Sequence, residues 1–140
     1  MQYNSFHDVN ILYVEDDSCI LKPLEPSLKK IFNKLYTAPD GVEGLSLYKK
    51  LYQTANHIDI IITDIEMPNM NDINMMKEIK KLNPSVDFII TTARNDRDFL
   101  LDAIELNANH VTLKPMKVQS LLNQIKQIID SHIESVNLTV

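Results

Sequence analysis

Short apolar runs alternate with longer amphipathic stretches along this chain, and that alternation limits its possible folds more than any other feature of the sequence. The runs are nearly continuous in apolar and β-branched residues, which is typical of strands buried on both faces of a sheet. Strands that alternate with helices favour a parallel sheet with helices on both sides. The sequence therefore predicts an α/β fold with five strands, at residues 10–14, 34–38, 58–63, 87–92 and 110–113.

The stretches that follow the strands predict five helices. The first of them, at residues 19–32, contains Pro23 and Pro26. Each proline removes a backbone donor and clashes with the carbonyl four residues back, so we expect this helix to be distorted or to begin late. The last predicted helix has the clearest apolar stripe, made of Val118, Leu121, Leu122, Ile125, Ile128, Ile129 and Ile133.

Composition narrows the class of protein. The length of 140 residues suits a single domain, which we place at residues 1–140. The chain has only two glycines, too few for a dinucleotide-binding fingerprint, and no P-loop motif follows them. A net charge of -5 argues against nucleic-acid binding by this chain alone. No apolar run approaches the roughly 20 residues that span a bilayer, and a single cysteine fits a reducing cytoplasm.

Several residues suited to phosphoryl chemistry stand where the predicted strands end. Right-handed crossovers bring the carboxyl ends of all parallel strands to one edge of the sheet. Oxygen ligands suit Mg²⁺, a carboxylate can act as a nucleophile and form an aspartyl phosphate, and a lysine can neutralise a phosphoryl group. This edge is therefore predicted to accept a phosphoryl group through Glu15, Asp16 and Asp17 after the first strand, Asp64 after the third, Thr92 at the end of the fourth and Lys114 after the fifth.

Each of these residues also has a simpler interpretation. Asp16 and Asp17 can cap the following helix, and Asp64 can be a turn residue. Their joint occurrence at the ends of different strands favours the phosphoryl pocket. Two other functions stay open, namely an interaction module that works without phosphorylation and a Mg²⁺-dependent hydrolase with an aspartate nucleophile.

Five segments in combination resemble the receiver domain of two-component response regulators. They are ILYVEDD at 11–17, PDGVEGL at 39–45, DIIITDIEMPNM at 59–70, FIITTAR at 88–94 and the pair Lys114-Pro115. The chain is similar in size to the single-domain chemotaxis type. The resemblance covers about residues 9–134 and implies a three-layer (βα)5 flavodoxin-like fold with strand order 2-1-3-4-5.

The resemblance also implies a role for each matching residue. Asp64 matches the phosphoacceptor, Thr92 the switch hydroxyl and Lys114 the lysine that contacts the phosphoryl group. The implied Mg²⁺ ligands besides Asp64 are Asp17 directly, Asp16 mainly through water, and the backbone carbonyl of Glu66.

The implied protein is an acceptor in a phosphorelay rather than a turnover enzyme. A histidine kinase or histidine phosphotransfer protein supplies the phosphoryl group. The charge then changes a surface made by the fourth helix, the fifth strand and the last helix, toward a downstream target that the sequence does not identify. The chain can equally be a receiver cut from a longer regulator with an output domain.

The sequence departs from the family pattern at several positions. Val111 stands where an aromatic switch residue is frequent, so the switch is expected to depend more on Thr92. Glu66 and Arg94 have opposite charges at positions that affect phosphoryl lifetime, and their pairing across the pocket would slow dephosphorylation. One or more of the residues at positions often occupied by glycine is expected to have a positive φ, namely Asn71, Asp72 or Asn107.

Overall fold

The computed structural model describes the backbone of residues 5–64, 70–92, 110–113 and 117–138, and the side chains of residues 5–63, 73–91 and 117–131. Its five strands form one parallel sheet in the order β2-β1-β3-β4-β5, which confirms the predicted fold class and strand order. The third strand begins two residues later than predicted. The strands are β1 (Asn10–Val14), β2 (Lys34–Ala38), β3 (Ile60–Asp64), β4 (Asp87–Thr92) and β5 (His110–Leu113).

Four helices and one short 3-10 turn, Phe6–Asp8, accompany these strands in the described part of the chain. The predicted helix between β4 and β5 lies outside the described residues, so α4 here is the last helix of the predicted order. No helix in the described ranges has the length and apolar character needed to cross a membrane. The helices are α1 (Ser18–Ile31), α2 (Gly41–Leu51), α3 (Met70–Leu82) and α4 (Val118–Leu138).

Two apolar cores lie on opposite faces of the sheet and make the domain a three-layer structure. Successive strand residues point to opposite faces, so each strand contributes to both cores. The first face packs against α2 and α3, through buried residues that include Leu12, Ile61, Ile90, Tyr48, Met75 and Ile79. The second face packs against α1 and α4, through buried residues that include Ile11, Ile62, Ile89, Leu28, Leu121 and Ile125.

Helix α1 begins at Ser18, immediately after the loop that follows β1, so the expectation of a late start was wrong. The buried side chains of Leu21 and Leu28 attach the helix to the sheet. Pro23 and Pro26 both lie inside the helix, on its exposed side. Packing of the apolar face therefore outweighs the loss of two backbone donors.

Asn71 and Asp72, two of the three positions at which one or more positive φ angles were expected, do not have one. Helix α3 begins at Met70, so both residues take helical backbone angles in its first turn. Asn107 lies outside the described residues. Among the described non-glycine residues, the positive φ is at Gln53, with φ 70°, where the chain turns away after α2.

Gly44 allows α2 to lie unusually close to the sheet. A Cβ atom at this position would stand 2.8 Å from the Met75 Sδ atom and 3.1 Å from the Val14 Cγ2 atom. The first distance is too short for a real contact, so a Cβ atom here would require either α2 or the Met75 side chain to move. Space, and not backbone conformation, favours glycine at this position, because its backbone is ordinary helix.

Candidate functional site

The carboxyl ends of β1, β3 and β4 meet at one edge of the sheet, as the sequence predicted. In the parallel register, Val14 pairs with Thr63, and Asp64 pairs with Thr91. Thr92 pairs with Leu113 at the end of β5. The backbone of Asp64, the last residue of the central strand, thus stands between the loop that follows β1 and the end of β4.

The loop after β1 holds three consecutive carboxylates in different surroundings. Glu15 is only 4% exposed, and its backbone N–H donates to the carbonyl of Ala38 at 3.0 Å. Its Oε1 atom accepts a hydrogen bond from the Asp17 N–H at 3.2 Å, which shapes the turn. Asp16 and Asp17 are exposed at the same edge. The three residues therefore form an acidic rim with one buried and two exposed members.

Asp17 caps the amino end of α1. Its Oδ1 atom accepts a hydrogen bond from the Cys19 N–H at 2.9 Å, and its backbone is extended, with φ -94° and ψ 103°. Its carbonyl accepts from the N–H groups of Ile20 and Leu21. Capping, the simpler interpretation from the sequence, thus describes the contacts of Asp17 in this structure.

Glu15 is the residue that the predicted ligand set left out. Side chains alternate along a strand, so the residue after Val14 continues the face of Tyr13. Tyr13 and Ile62 belong to the same core, and the period of two along β3 predicts Asp64 on the face of Ile62. Continuing the period of two by one residue past β1 would have put Glu15 on the same face of the sheet as Asp64.

Many residues of the predicted site have side chains that lie outside the described part of the structure. The backbones of Asp64 and Thr92 are described, but their side chains lie outside the described part, as does the side chain of Val111. Among the described side chains, no three of His, Cys, Asp or Glu are close enough to hold a metal ion. Three further predicted site residues lie outside the described residues altogether, namely Glu66, Arg94 and Lys114.

Asp59, the aspartate just before β3, belongs to the opposite edge of the sheet. Its Oδ2 atom accepts from the Asn10 N–H at 2.8 Å, and its Oδ1 atom lies 3.0 Å from the His57 Nε2 atom. Burial raises the pKa of Asp59 above its ordinary value of 3.8, and the contacts with Asn10 and His57 offset this only in part. These contacts join the amino ends of β1 and β3, so Asp59 acts in the structure of that edge.

A cavity of about 390 Å³ also opens at this opposite edge. The polar groups along it bond to one another: the Tyr52 hydroxyl donates to the Leu82 carbonyl at 2.9 Å, and the Asn83 side chain donates to the Tyr48 hydroxyl at 3.3 Å. These contacts hold the end of α2 to the end of α3. The cavity is thus a structural cleft, remote from the carboxylates that follow β1.

Comparison with known proteins identifies a family for most of the chain. Residues 11–126 match the family model described as the response regulator receiver domain. The chemotaxis protein CheY of Thermotoga maritima is 27% identical over 119 residues, which cover 84% of this chain and 95% of that protein. The chain spans only 23% to 51% of the length of other curated relatives, which are named as transcriptional regulators.

Solved structures agree with this match. A response regulator receiver domain from Clostridium thermocellum has 32% identity and a TM-score of 0.74, with 88% of this chain and 95% of that chain covered. The CheX–CheY–BeF3–Mg²⁺ complex from Borrelia burgdorferi has a chain with 28% identity and a TM-score of 0.73, with 86% and 88% covered.

Proposed function

The chain belongs to the response regulator receiver domain family, and on that premise we propose that Asp64 is its phosphoryl acceptor in a two-component signalling system. The observation that supports this choice is the position of Asp64 as the last residue of β3, the central strand. Ligand sites of open parallel sheets lie outside the carboxyl ends of the strands. Asp59 is at the other end of the same strand and is bonded to Asn10 and His57.

The proposed reaction is a transfer from a phosphohistidine on a partner protein. An oxygen of the Asp64 carboxylate attacks phosphorus, and a P–O bond forms as the P–N bond breaks. The electron pair of the broken bond stays on the imidazole nitrogen of the donor. Lys114 would neutralise the phosphoryl oxygens, and the Thr92 hydroxyl would donate a hydrogen bond to one of them after transfer.

Mg²⁺ fits this edge because the candidate ligand atoms are all oxygens, which Mg²⁺ prefers. Asp16 is exposed, so an ion bound to it would keep several of its water ligands. We assign the ligands to Asp16, Asp64 and the backbone carbonyl of Glu66, with Glu15 behind them. Asp17, which was predicted as a direct ligand, is assigned instead to the cap of α1 because its Oδ1 atom is bonded to the Cys19 N–H. When bound, Mg²⁺ would offset the charge that gathers as the phosphoryl group arrives.

The proposed partners are a histidine kinase or a histidine phosphotransfer protein as donor and a protein target downstream. A relative of known structure is described in complex with CheX, which supports protein targets for this family without identifying the target here. We place this function in the cytoplasm and assign no catalytic turnover beyond self-phosphorylation and self-dephosphorylation. The added charge at Asp64 would act on the surface that includes β5 and α4.

The test is phosphoryl uptake from acetyl phosphate with Mg²⁺, followed by intact-protein mass spectrometry. Wild type is expected to gain the mass of one phosphoryl group, and Asp64→Asn is expected to gain none. The matched control is Asp59→Asn, which changes the aspartate at the other end of β3 and should keep the uptake. Uptake by Asp64→Asn, or no uptake by the wild type, would contradict the proposed function.

A further inference from the structure

We propose that the hydroxyl of Thr91 positions the Asp64 carboxylate for phosphoryl transfer, a role that rests on the function proposed above. Thr91 is the residue before the predicted switch hydroxyl, Thr92, and it lies inside β4. The proposal makes Thr91 a positioning residue that acts through Asp64 and does not itself contact the phosphoryl group.

The register of the sheet puts these two residues side by side. Asp64 on β3 pairs with Thr91 on β4, as neighbours in adjacent parallel strands. Strands in a sheet lie about 4.7–4.9 Å apart, and residues paired in register present their side chains on one face. That spacing is within reach of a hydrogen bond between a hydroxyl and a carboxylate.

The alternation of side chains along the two strands leads to the same conclusion as the register. Ile89, two residues before Thr91, and Ile62, two residues before Asp64, both belong to the core packed against α1 and α4. The period of two along each strand therefore predicts Thr91 and Asp64 on this same face. Glu15 continues the same alternation from Tyr13. Glu15, Asp64 and Thr91 therefore follow one another as a row of positions across β1, β3 and β4, next to the acidic rim.

The described surroundings of Thr91 offer its hydroxyl no other hydrogen-bond partner. Thr91 is completely buried, and its Oγ1 atom has no hydrogen-bond partner within the part of the chain that the structure describes. A buried hydroxyl without a partner is unfavourable, and valine would fill the same space without a polar atom. A carboxylate next to it in register is the acceptor that would satisfy it.

Thr63 provides a matched comparison. It is also completely buried, and its Oγ1 atom likewise has no partner among the described residues. However, Thr63 follows Ile62 and pairs with Val14 and Ile90, so its side chain belongs to the opposite face, which packs against α2 and α3. It has the chemistry of Thr91 without the position beside Asp64.

The proposed bond would fix the orientation of the nucleophile. A carboxylate held in one rotamer presents the same oxygen to phosphorus in each encounter, and small errors in that geometry reduce the rate strongly. The bond would affect the rate of transfer at saturating donor and leave donor binding unchanged, since Thr91 touches neither donor nor ion.

The experiment compares Thr91→Val, Thr91→Ser and Thr63→Val with the wild type in Mg²⁺ and acetyl phosphate. Thr91→Val is expected to lower the phosphorylation rate at saturating acetyl phosphate about tenfold, with the half-saturating concentration unchanged. Thr91→Ser, which keeps the hydroxyl, should return the rate to within about twofold of the wild type. Thr63→Val should leave the rate unchanged.

Stability measured by urea unfolding separates positioning from structure. Thr63→Val should be at least as stable as the wild type, because it removes a buried hydroxyl without a partner among the described residues. Thr91→Val also loses the proposed bond to Asp64, so it should be no more stable than the wild type but fully folded under the assay conditions. If Thr91→Val has the wild-type rate, or if it is slow only because part of the protein is unfolded, the positioning role is overturned. If it does not fold, Thr91→Ala is compared with Thr91→Ser, and equal rates in those two overturn the role.

Failure of the underlying function is recognised separately. It would appear as no uptake by the wild type, or as uptake by Asp64→Asn, and it would overturn the positioning role as well. If the wild type and Asp64→Asn behave as proposed while Thr63→Val loses as much rate as Thr91→Val, only the role of Thr91 fails.

Discussion

Three consecutive carboxylates follow β1, and each has different contacts. Glu15 is buried and bonds to the Asp17 N–H, while Asp16 is exposed without a role in starting the helix. Asp17 holds the first turn of α1 through the Cys19 N–H. Within one short loop, one carboxylate is thus buried, one is exposed to solvent and one caps a helix. Residue type alone therefore does not assign the roles of these three residues.

The cap of α1 can be separated from metal binding by two substitutions at one position. Asn caps a helix about as well as Asp, whereas Ala does not. Asp17→Ala is therefore expected to lower the free energy of unfolding by about 1 kcal/mol, and Asp17→Asn to leave it nearly unchanged. Urea unfolding measures both.

Phosphoryl uptake by the same variants tests the ligand assignment. Asp17→Asn should keep Mg²⁺-dependent uptake, and Asp16→Asn, the control in the adjacent position, should lose most of it. Loss of uptake in Asp17→Asn at unchanged stability would return Asp17 to the direct ligand position that the sequence predicted.

Asp59 gives the stability of the protein a definite dependence on pH. Because burial raises its pKa above 3.8, the folded state holds the Asp59 proton to higher pH than the unfolded chain does. Its contribution is therefore fully present below the unfolded pKa and is lost as the pH rises through the folded pKa. The free energy of unfolding of the wild type, relative to Asp59→Asn, should fall as the pH rises from the ordinary aspartate pKa of 3.8 through the higher pKa of the folded state. A urea series on both proteins checks it, and a difference that is constant or increases with pH contradicts it.

At the scale of elements, the position of each helix follows from contacts with the sheet. Leu21 and Leu28 hold α1 in place despite two prolines inside it. Gly44 permits the close approach of α2 to β1 and α3. The two prolines predicted that α1 is distorted or begins late, and the late start was wrong because buried apolar contacts stabilise a helix more than single residues disfavour it.

Adding one methyl group at Gly44 tests the close approach of α2. Gly44→Ala would bring a Cβ atom to 2.8 Å from Met75 Sδ, so the helix or the methionine must move. We expect the free energy of unfolding to fall by about 1–3 kcal/mol, although alanine favours helix more than glycine does.

The control for Gly44→Ala is Ser46→Ala, which lies on the exposed side of the same helix. Its effect should stay within about 0.5 kcal/mol. Gly44→Ala with unchanged or increased stability would mean that Met75 yields without penalty. Urea unfolding of both variants measures the difference.

At the scale of the whole molecule, the sheet gathers residues that are far apart in the chain. Strand order β2-β1-β3-β4-β5 puts β3 at the centre, with the loop after β1 on one side and the end of β4 on the other. The acidic rim and Asp64 thus meet although about 50 residues separate them. The proposed ion would join these separate segments, so its binding is expected to stabilise the entire domain.

Mg²⁺ should therefore raise the thermal unfolding midpoint. An ion that binds only the folded state stabilises it by about 2.7 kcal/mol at 100 times its dissociation constant. The shift should be absent or much reduced in Asp16→Asn, and present in Asp59→Asn. Calorimetry or dye-monitored melting checks this, and an equal shift in Asp16→Asn would show that the ion binds elsewhere.

The pattern of the sequence was sufficient for the fold class, the parallel sheet, the family and the bounds of four of the five strands. Those features depend on periodicity and on motifs that are local in the chain. The roles of Asp64, Thr92 and Lys114 stay predictions, because their side chains lie outside the described part. Glu15 was left out of the ligand set because the resemblance assigned the ligands after β1 to Asp16 and Asp17, and the burial of Glu15 depends on packing against strands distant in sequence.

The sequence by itself determined that strands and helices alternate, and hence that the carboxyl ends of the strands share one edge where Asp64 stands. Only the tertiary structure decided that Asp17 caps α1, that Glu15 is buried, and that Thr91 lies beside Asp64 while Thr63 faces the other core. Periodicity records which face of its own element a residue belongs to, since it is a property of one segment. Register, burial and hydrogen bonds depend on pairs of segments, and they exist only once the sheet has formed.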